Sequence, residues 1–260
     1  MTNTTSNDVV LTLKVSNAQV AMGLFGGEEL LGTWLVSGHS TITANEAEQA
    51  IVSFLDLRDL PTPTDAILCS VVPAATPAWT EAARTIVGKR PLSVGPGLKS
   101  GLAMEYKDPG QIGADRVANA VAAKELYGAP VIAVDFGTAT NVVVVGKKGT
   151  FLGGTISLGV GAAMRALATT AAQLPNVNLK VPRKVIGRAT DEAMQAGLVL
   201  GEVKRVEGLI EAMWEEIGYE TTLVATGSYA PMIIAASRFD FIYDETLTLQ
   251  GLNILRNRNR

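Results

Sequence analysis

The sequence has 260 residues, of which 47% are hydrophobic, so it can bury the core of one large domain or two small ones. Its formal charge of −3 gives no basic field over the chain, which argues against nucleic-acid binding. With one cysteine, Cys69, and one histidine, His39, an internal disulfide and a cysteine zinc cluster are excluded. We predict that Cys69 is a small buried hydrophobe and that His39 lies in a surface loop.

The sequence contains no recognisable targeting or membrane segment. Its opening residues, MTNTTSND, have neither the basic nor the apolar part of a secretory signal. No apolar stretch approaches the roughly 18 residues of a membrane-spanning helix. We therefore expect a cytoplasmic protein without a membrane partner.

Apolar alternation and helical periodicity predict an α/β chain. The predicted strands are, in chain order, Val9–Lys14, Val20–Phe25, Thr33–Val36, Ala66–Val71, Val131–Val134, Asn141–Val145, Thr150–Ile156, Thr222–Ala225 and Phe241–Tyr243. The predicted helices are Ala44–Leu55, Pro77–Val87, Ala114–Tyr127, Val160–Gln173, Thr190–Ile217 and Pro231–Ser237. A break near Gly201 is left open, Asn45 and Thr190 are predicted N-terminal caps, and the final RNRNR is predicted to be a frayed, solvated end.

An internal echo divides the chain into two halves. VVLTLKVSNAQVAMGLF and VIAVDFGTATNVVVVG each indicate two strands joined by a small polar turn. Placing Lys14 over Asp135, an offset of 121 residues, aligns the two turns. The echo favours a duplicated α/β fold whose halves, 1–128 and 129–260, meet near Gly128–Pro130. Chance recurrence of an apolar, turn, apolar pattern remains the alternative.

Three segments could carry phosphate chemistry. The turn Asp135–Thr140 follows an apolar strand, so its N–H groups and hydroxyls could face a phosphate, although an ordinary Asp-capped glycine turn has the same appearance. Asp115 near a helix start is either dipole-stabilised or a general base, with Arg116 holding an anionic group. A glycine series permits close backbone approach to a ligand, or tight packing: Gly153, Gly154, Gly159 and Gly161. Neither a P-loop nor a Rossmann fingerprint is present.

Ordered motifs along nearly the whole chain resemble the type III pantothenate kinase family. They are SVVP (Ser70–Pro73), GPGLKSGL (Gly95–Leu102), GADR (Gly113–Arg116), DFGTAT (Asp135–Thr140), LGGTISLGVG (Leu152–Gly161), VIGRAT (Val185–Thr190), MQAG (Met194–Gly197), ATG (Ala225–Gly227) and LTLQGL (Leu247–Leu252). Each motif alone is weak evidence for the family, whereas the order and spacing of all of them together are specific to it.

The resemblance implies the actin-like ATPase fold, with two RNase H-like halves of mixed sheets and flanking helices and ATP in the cleft between them. It also implies ATP-dependent phosphorylation of pantothenate in coenzyme A biosynthesis by a dimer that uses Mg²⁺ and K⁺. Asp115 would be the proton acceptor and Asp135 would bind the monovalent cation. Pantothenate contacts are implied for Tyr106, Gly113, Ala114, Asp115, Arg116 and Thr190. The nucleotide would lie near Lys14, Ser16, Asn17, Gly137, Thr138 and Thr140.

The first turn departs from the family's D-x-G-N-T pattern. It reads Lys14-Val-Ser-Asn-Ala18 and keeps only Asn17, so a cation replaces the expected carboxylate. Lys14 could pair with phosphate oxygens as a point charge, or form a salt bridge with Asp135. The second turn lacks the usual T-T-x-D tail, and Tyr229 stands within the segment that is usually T-G-G-L-A.

These departures leave three functions open. The first is an active pantothenate kinase, as a homodimer or as a heterodimer with a paralogue whose first turn is intact. The second is a catalytically inactive relative that binds pantothenate or coenzyme A in a regulatory role. A different actin-like activity, such as a sugar kinase or a polyphosphatase, is the third.

Overall fold

The computed structural model describes residues 8–171 and 174–260. Its strands are β1 (Val9–Val15), β2 (Gln19–Gly26), β3 (Glu29–Ser37), β4 (Asp65–Ser70), β5 (Leu92–Ser93), β6 (Ala103–Met104), β7 (Val131–Phe136), β8 (Ala139–Val145), β9 (Thr150–Leu158), β10 (Thr222–Thr226) and β11 (Ile242–Tyr243). Its helices are α1 (Ala44–Leu57), α2 (Thr76–Val87), α3 (Ala114–Tyr127), α4 (Val160–Thr170), α5 (Thr190–Gln195), α6 (Gly201–Ile217), α7 (Ala230–Ile234) and α8 (Leu247–Arg258). A π-helical turn, Ala196–Leu200, joins α5 to α6, and a short 3₁₀ turn, Pro109–Gln111, precedes α3.

The described residues form two compact units built from interleaved segments. The first unit contains residues 8–102, 107–122 and 247–260, and the second contains 103–106 and 123–246. The sequence-based division into 1–128 and 129–260 concerns the internal repeat and stays a prediction.

The two sheets repeat one topology. The first unit has the order β3-β2-β1-β4-β5, and the second has β11-β10-β7-β8-β9-β6. In each, three consecutive antiparallel strands (β1 to β3, β7 to β9) are continued by parallel strands on the far side of the first strand. The predicted duplicated α/β fold is therefore confirmed, and β6 is an addition at the edge of the second sheet.

The first sheet is covered on both faces because its strands alternate between two apolar clusters. Leu11 and Leu13 of β1 pack with α1 and α2. Val10 of β1 and Cys69 of β4 pack on the other face with α8 and the start of α3. The burial predicted for Cys69 is confirmed, and the same alternation places Lys14 on the α8 face of β1.

The second sheet buries one face against α4, the π-helical turn, α6 and α7. Val134 and Phe136 of β7 and Val142 of β8 belong to this cluster. By alternation, Asp135 points to the opposite face of the sheet, whereas Thr140 shares the α6 face with Val142. The Asp135 carboxylate and the Thr140 hydroxyl, which belong to one hairpin, thus point to opposite faces of the sheet.

The sequence reading missed β5, β6 and α8. It was also wrong about the basic C-terminus, most of which is the last turn of α8 and is bound within the first unit. Arg256 is buried and forms ion pairs with Asp8 and Asp65, and Arg258 donates to the Ser100 carbonyl. These partners lie far away in sequence, so no local pattern announces them.

Two predicted helix caps were also wrong by one or two residues. Thr43, not Asn45, caps α1, in a capping box with Glu46. Ala189 precedes α5, which makes Thr190 its first helical residue. The helix predicted to reach residue 173 ends at Thr170, and residues 172–173 lie outside the described part of the chain. His39 lies exposed in the loop after β3, as predicted.

Candidate active site

The turn between β1 and β2 is packed against the chain that leaves β3. Ser16 N donates to the Gln19 carbonyl at 3.0 Å, and Gly38 N donates to the Ala18 carbonyl at 2.9 Å. A Cβ added to Gly38 would lie 2.8 Å from the Ser16 carbonyl oxygen. Only a glycine fits here without displacing the turn.

The turn between β7 and β8 has similar support in the second unit. Gly137 N donates to the Ala139 carbonyl at 3.1 Å, and Gly159 N donates to the Thr138 carbonyl at 3.0 Å. A Cβ on Gly159 would overlap the Gly137 carbonyl oxygen. Gly159 follows Gly38 by the same 121 residues that separate the two turns, and the N–H of each glycine donates to a carbonyl of its turn, although the acceptors Ala18 and Thr138 are 120 residues apart.

The two hairpins carry opposite charges at equivalent positions. Lys14 is the penultimate residue of β1 and Asp135 the penultimate residue of β7. Asp135 is 4% exposed, whereas Lys14 is partly exposed. The second hairpin therefore places a buried carboxylate beside a turn of small residues, and the first places an ammonium there.

The end of β10 folds onto the second turn. Gly227 has a φ of 94°, and a Cβ there would lie 2.5 Å from Asp135 Oδ1 and 2.7 Å from the Phe136 carbonyl oxygen. Tyr229 N donates to that same carbonyl at 3.1 Å. The Tyr229 hydroxyl lies where a Cβ on Gly161 would stand, at the start of α4. Close approach of neighbouring atoms thus explains Gly227 and Gly161.

The first turn of α3 fixes the carboxylate of Asp115. Its Oδ1 accepts a hydrogen bond from Arg116 N at 2.8 Å and lies 2.8 Å from where a Cβ on Gly113 would stand. Arg116 is buried, and Val117 N donates to the Gly113 carbonyl at 3.1 Å. The residues Gly113, Ala114, Asp115 and Arg116 therefore form one local constellation, with an oriented, partly exposed carboxylate at a helix N-terminus.

Two further predicted site residues belong to the second unit. Tyr106 is 37% exposed and packs edge-on against Phe151, with ring centroids 5.9 Å apart. Thr190 is exposed at the start of α5, where Arg188 N donates to Glu192 Oε2 at 2.8 Å. Both hydroxyls are on accessible parts of the unit, as a substrate contact requires.

Sequence reasoning missed Glu202, which lies in the first turn of α6. Glu202 is 5% exposed and accepts a hydrogen bond from Thr140 Oγ1 at 2.5 Å. It also pairs with Arg205. Because 62 residues separate Thr140 from Glu202, no motif could reveal the contact.

The polar groups of the second turn fit a single cation better than those of the first. Over residues 8–171 and 174–260, no cluster of three or more His, Cys, Asp or Glu side chains is placed to hold a metal ion. The first turn offers a cation only the neutral side-chain oxygens of Ser16 and Asn17, beside the ammonium of Lys14. The second turn offers the Asp135 carboxylate. Magnesium needs only one or two protein carboxylates when nucleotide phosphates supply other ligands.

Among residues 8–171 and 174–260, no helix has the length and apolarity to cross a bilayer.

The duplicated sheet with its paired hairpin turns is the fold of the actin-like ATPases. A solved relative in fold is the activator of 2-hydroxyisocaproyl-CoA dehydratase from Clostridium difficile, with bound ADPNP. It has a TM-score of 0.57 and 10% identity, covering 94% of this chain and 91% of its own. The ethanolamine utilization protein EutJ from Carboxydothermus hydrogenoformans has a TM-score of 0.56 and 10% identity, covering 98% and 92%.

Sequence comparison then identifies the family. The profile of type III pantothenate kinase matches residues 10–212. A type III pantothenate kinase from Moorella thermoacetica is 40% identical over 256 residues, covering 96% of this chain and 100% of that protein. One from Brevibacillus brevis is 36% identical over 254 residues, covering 97% and 100%. The chain belongs to the type III pantothenate kinase family.

Proposed function

We propose that the chain transfers a phosphoryl group from ATP to pantothenate, as a step of coenzyme A biosynthesis. The observation that carries the proposal is the constellation at the start of α3. There the Asp115 carboxylate is held by Arg116 N, with a glycine in front of it. Family membership supplies the identity of the substrate, and this geometry supplies the base.

Asp115 acts on the substrate hydroxyl. Its carboxylate accepts the hydroxyl proton as the oxygen attacks the terminal phosphorus of ATP, the bond from that phosphorus to the bridging oxygen breaks, and ADP leaves. A fixed carboxylate performs this role in other kinases. The buried Arg116 holds an anionic group of pantothenate, with Gly113 and Ala114 giving close backbone approach. Tyr106 and Thr190 of the second unit are proposed as further pantothenate contacts.

The second turn receives phosphate oxygens. The backbone N–H groups around Gly137 and Thr138 lie in a compact turn, where consecutive amides attract anions. Asp135 is the residue we propose to hold K⁺, and Mg²⁺ arrives with the phosphates of ATP. Bound cations neutralise negative charge on the phosphates during transfer.

The first turn contributes charge without a carboxylate. We propose that the Lys14 ammonium pairs with phosphate oxygens as a point charge, with Ser16 and Asn17 beside it. Such a group attracts phosphate but cannot coordinate a metal ion as an aspartate does. This substitution should weaken the dependence on the divalent cation without removing nucleotide binding.

The proposed assembly is a cytoplasmic homodimer, or a heterodimer with a paralogue that has an intact first turn. Exposed apolar side chains near Thr190 are consistent with a subunit contact, since Val185 is 75% and Ile186 80% exposed. Light scattering of the purified chain, alone and with the paralogue, separates these assemblies.

The activity is tested on the full chain with ATP, Mg²⁺ and K⁺ and a panel of alcohols. The panel contains pantothenate, a hexose, an amino sugar and glycerol, and mass spectrometry identifies the product. We expect 4′-phosphopantothenate alone. A phosphorylated sugar would replace the proposal with a different kinase activity, and the absence of any product, with or without the paralogue, would refute it.

A non-catalytic role is the second candidate, and the altered first turn favours it. Lys14, Ser16 and Ala18 replace three positions of the family's phosphate pattern in one turn. A regulatory subunit would bind pantothenate or coenzyme A and would not need ATP. Calorimetry with pantothenate, coenzyme A and a non-hydrolysable ATP analogue decides, because tight Mg²⁺-dependent binding of the analogue contradicts this role.

A further inference from the structure

A buried carboxylate fastens the second turn to α6, and none of the roles above uses it. One oxygen of Glu202 accepts from Thr140 Oγ1 at 2.5 Å, and the other pairs with Arg205. The guanidinium of Arg205 also donates to the Leu158 carbonyl at 3.1 Å. One carboxylate thus connects the start of β8, the end of β9 and the first turn of α6.

The π-helical turn explains why Glu202 faces the sheet. Ala196–Leu200 stands directly before Gly201, within the otherwise continuous helix from Thr190 to Ile217. A π turn adds a residue to the helix, which rotates all later side chains by about 100°. Val199 within the turn and Val203 after it both lie in the core, so the helix keeps its buried face through the turn.

Both oxygens of this carboxylate must be satisfied because Glu202 is only 5% exposed. The bond from Thr140 directs that hydroxyl toward α6. The Thr140 backbone is meanwhile paired with Phe136 in β7 and Ser157 in β9. Thr140 is therefore held by its side chain and its main chain together, at the end of the turn that we propose to receive phosphate.

We propose that Glu202 is a positioning residue for the second phosphate turn. By holding the Thr140 hydroxyl and, through Arg205, the Leu158 carbonyl, it fixes both ends of the contact between Gly137–Ala139 and Gly159. The ligand of the turn, the phosphates of ATP, rests on the proposed function. The sequence predicts that Thr140 lies at the nucleotide site. In this proposal its side chain acts there indirectly, by fixing the conformation of the turn.

The same helix provides a matched control. Glu207 of α6 is 2% exposed, accepts from Ser237 Oγ at 3.1 Å and pairs with Lys204 at 2.7 Å. It thus has the burial, the hydroxyl partner and the cation partner of Glu202. Its partners, however, lie on α6 and after α7, away from the second turn.

The first experiment measures amide hydrogen exchange in residues 137–140 of the full chain without ligand. Glu202→Gln should speed exchange there by about tenfold relative to wild type, because local opening no longer breaks the charged network. Glu207→Gln should leave these amides unchanged. Equal exchange in the two variants would overturn the proposal, whether or not the chain is a kinase.

The second experiment compares kinetic constants. Glu202→Gln should raise KM for ATP about tenfold and leave KM for pantothenate unchanged, since only the phosphate turn moves. Thr140→Val should match it, the double variant should add little, and Thr140→Ser, which keeps the hydroxyl, should raise KM for ATP less than Thr140→Val. A change of both KM values, or the same change in Glu207→Gln, would assign Glu202 a merely structural role.

The two experiments separate this inference from the proposed function. Faster exchange in Glu202→Gln with no kinase activity in wild type would sustain the positioning role and refute the kinase. Pantothenate phosphorylation with unaltered KM for ATP in Glu202→Gln would sustain the kinase and refute the positioning role.

Discussion

The turn after β1 and the turn after β7 have similar backbone support and different chemistry. Each is packed against a glycine that follows the third strand of its sheet, Gly38 in one and Gly159 in the other. Each also follows a penultimate strand residue that is charged, Lys14 or Asp135. The supporting contacts have survived in both halves, whereas the sign of the charge has not.

The comparison separates what the fold requires from what the reaction requires. A glycine in contact with backbone atoms is demanded by sterics, so any substitution displaces the turn. The charge at the strand end is not fixed by this backbone contact. The first turn can therefore lose its carboxylate while the sheet around it stays intact.

The largest effect is expected at Asp115, which lies outside both turns. Asp115→Asn removes the proton acceptor while keeping the size and the hydrogen bond from Arg116 N. We expect kcat to fall by about 10³, within the range for general base catalysis, with both turns unaltered. Steady-state kinetics measure this loss. The control is Asp108→Asn, which changes an exposed carboxylate in the loop before α3 and should keep activity.

The next effect concerns the first unit, at the end of β1 opposite the first turn. Arg256→Ala leaves Asp8 and Asp65 without their shared guanidinium. We expect a loss of about 3 kcal/mol in the free energy of unfolding, the low end for breaking a buried pair, because the aspartates are partly exposed. Urea denaturation tests this, and Arg260→Ala, at an exposed pair with Asp8, should cost less than about 1 kcal/mol.

The same network predicts a pH dependence. Hydrogen bonds from Arg256 lower the pKa of Asp8 from its ordinary 3.8. Burial raises the pKa of Asp65, but bonds from Arg256 and Lys89 outweigh it and leave that pKa lowered as well. Lowered pKa values stabilise the fold above about pH 4 and lose this contribution as the pH falls through the folded values. Acid unfolding should therefore be less steep in Arg256→Ala, and an unchanged slope would contradict the pairing.

A smaller effect compares the turns directly. Alanine at Gly159 or Gly38 pushes a Cβ into the backbone of the adjacent turn, and the overlap is greater at Gly159. We expect a loss of about 2 kcal/mol for Gly159→Ala and about 1 kcal/mol for Gly38→Ala. Gly208→Ala, where a Cβ on α6 meets nothing, should not destabilise. The reverse order of the first two would show that the turns are supported differently.

The smallest effect is expected at the end of α3, whose start bears Asp115. Burial raises the pKa of Tyr127 to about 12, together with its hydrogen bond to Asp244 Oδ2 at 2.9 Å. A raised pKa stabilises the fold below pH 10, and this contribution disappears as the pH rises from 10 to 12. Tyr127→Phe should cost about 1 kcal/mol at pH 8 and flatten this alkaline loss. Urea denaturation at pH 8 and at pH 12 measures both effects. An alkaline loss of stability in the variant equal to that in wild type would contradict the prediction.

The sequence predicted both hairpins because each consists of two apolar runs joined by a short polar turn, which is a local property. It missed α8, where Gly251 and Asn253 weaken the helical pattern and Leu249, Leu252 and Leu255 are buried by tertiary contact with the sheet and α3. It also misread the end of this helix, since the partners of Arg256 are Asp8 and Asp65. Tertiary contact, not local preference, decides such elements.

The candidate site divides in the same way. Asp115, Asp135 and their neighbours could be predicted because they belong to short motifs. Glu202 could not, because its contact with Thr140 depends on one extra residue in a π-helical turn. A residue that positions a motif from another element has no signature of its own.

The central claim is that this chain phosphorylates pantothenate although Lys14 replaces a carboxylate in its first turn. The most direct test is a coupled ADP-release assay on the purified chain in Mg²⁺ and K⁺, with and without pantothenate. The account predicts ADP release that requires pantothenate and that Asp115→Asn abolishes. No pantothenate-dependent release, from a chain that still binds pantothenate, would contradict it for the chain alone, and the paralogue-supplemented assay would then decide between a partner subunit and the non-catalytic role.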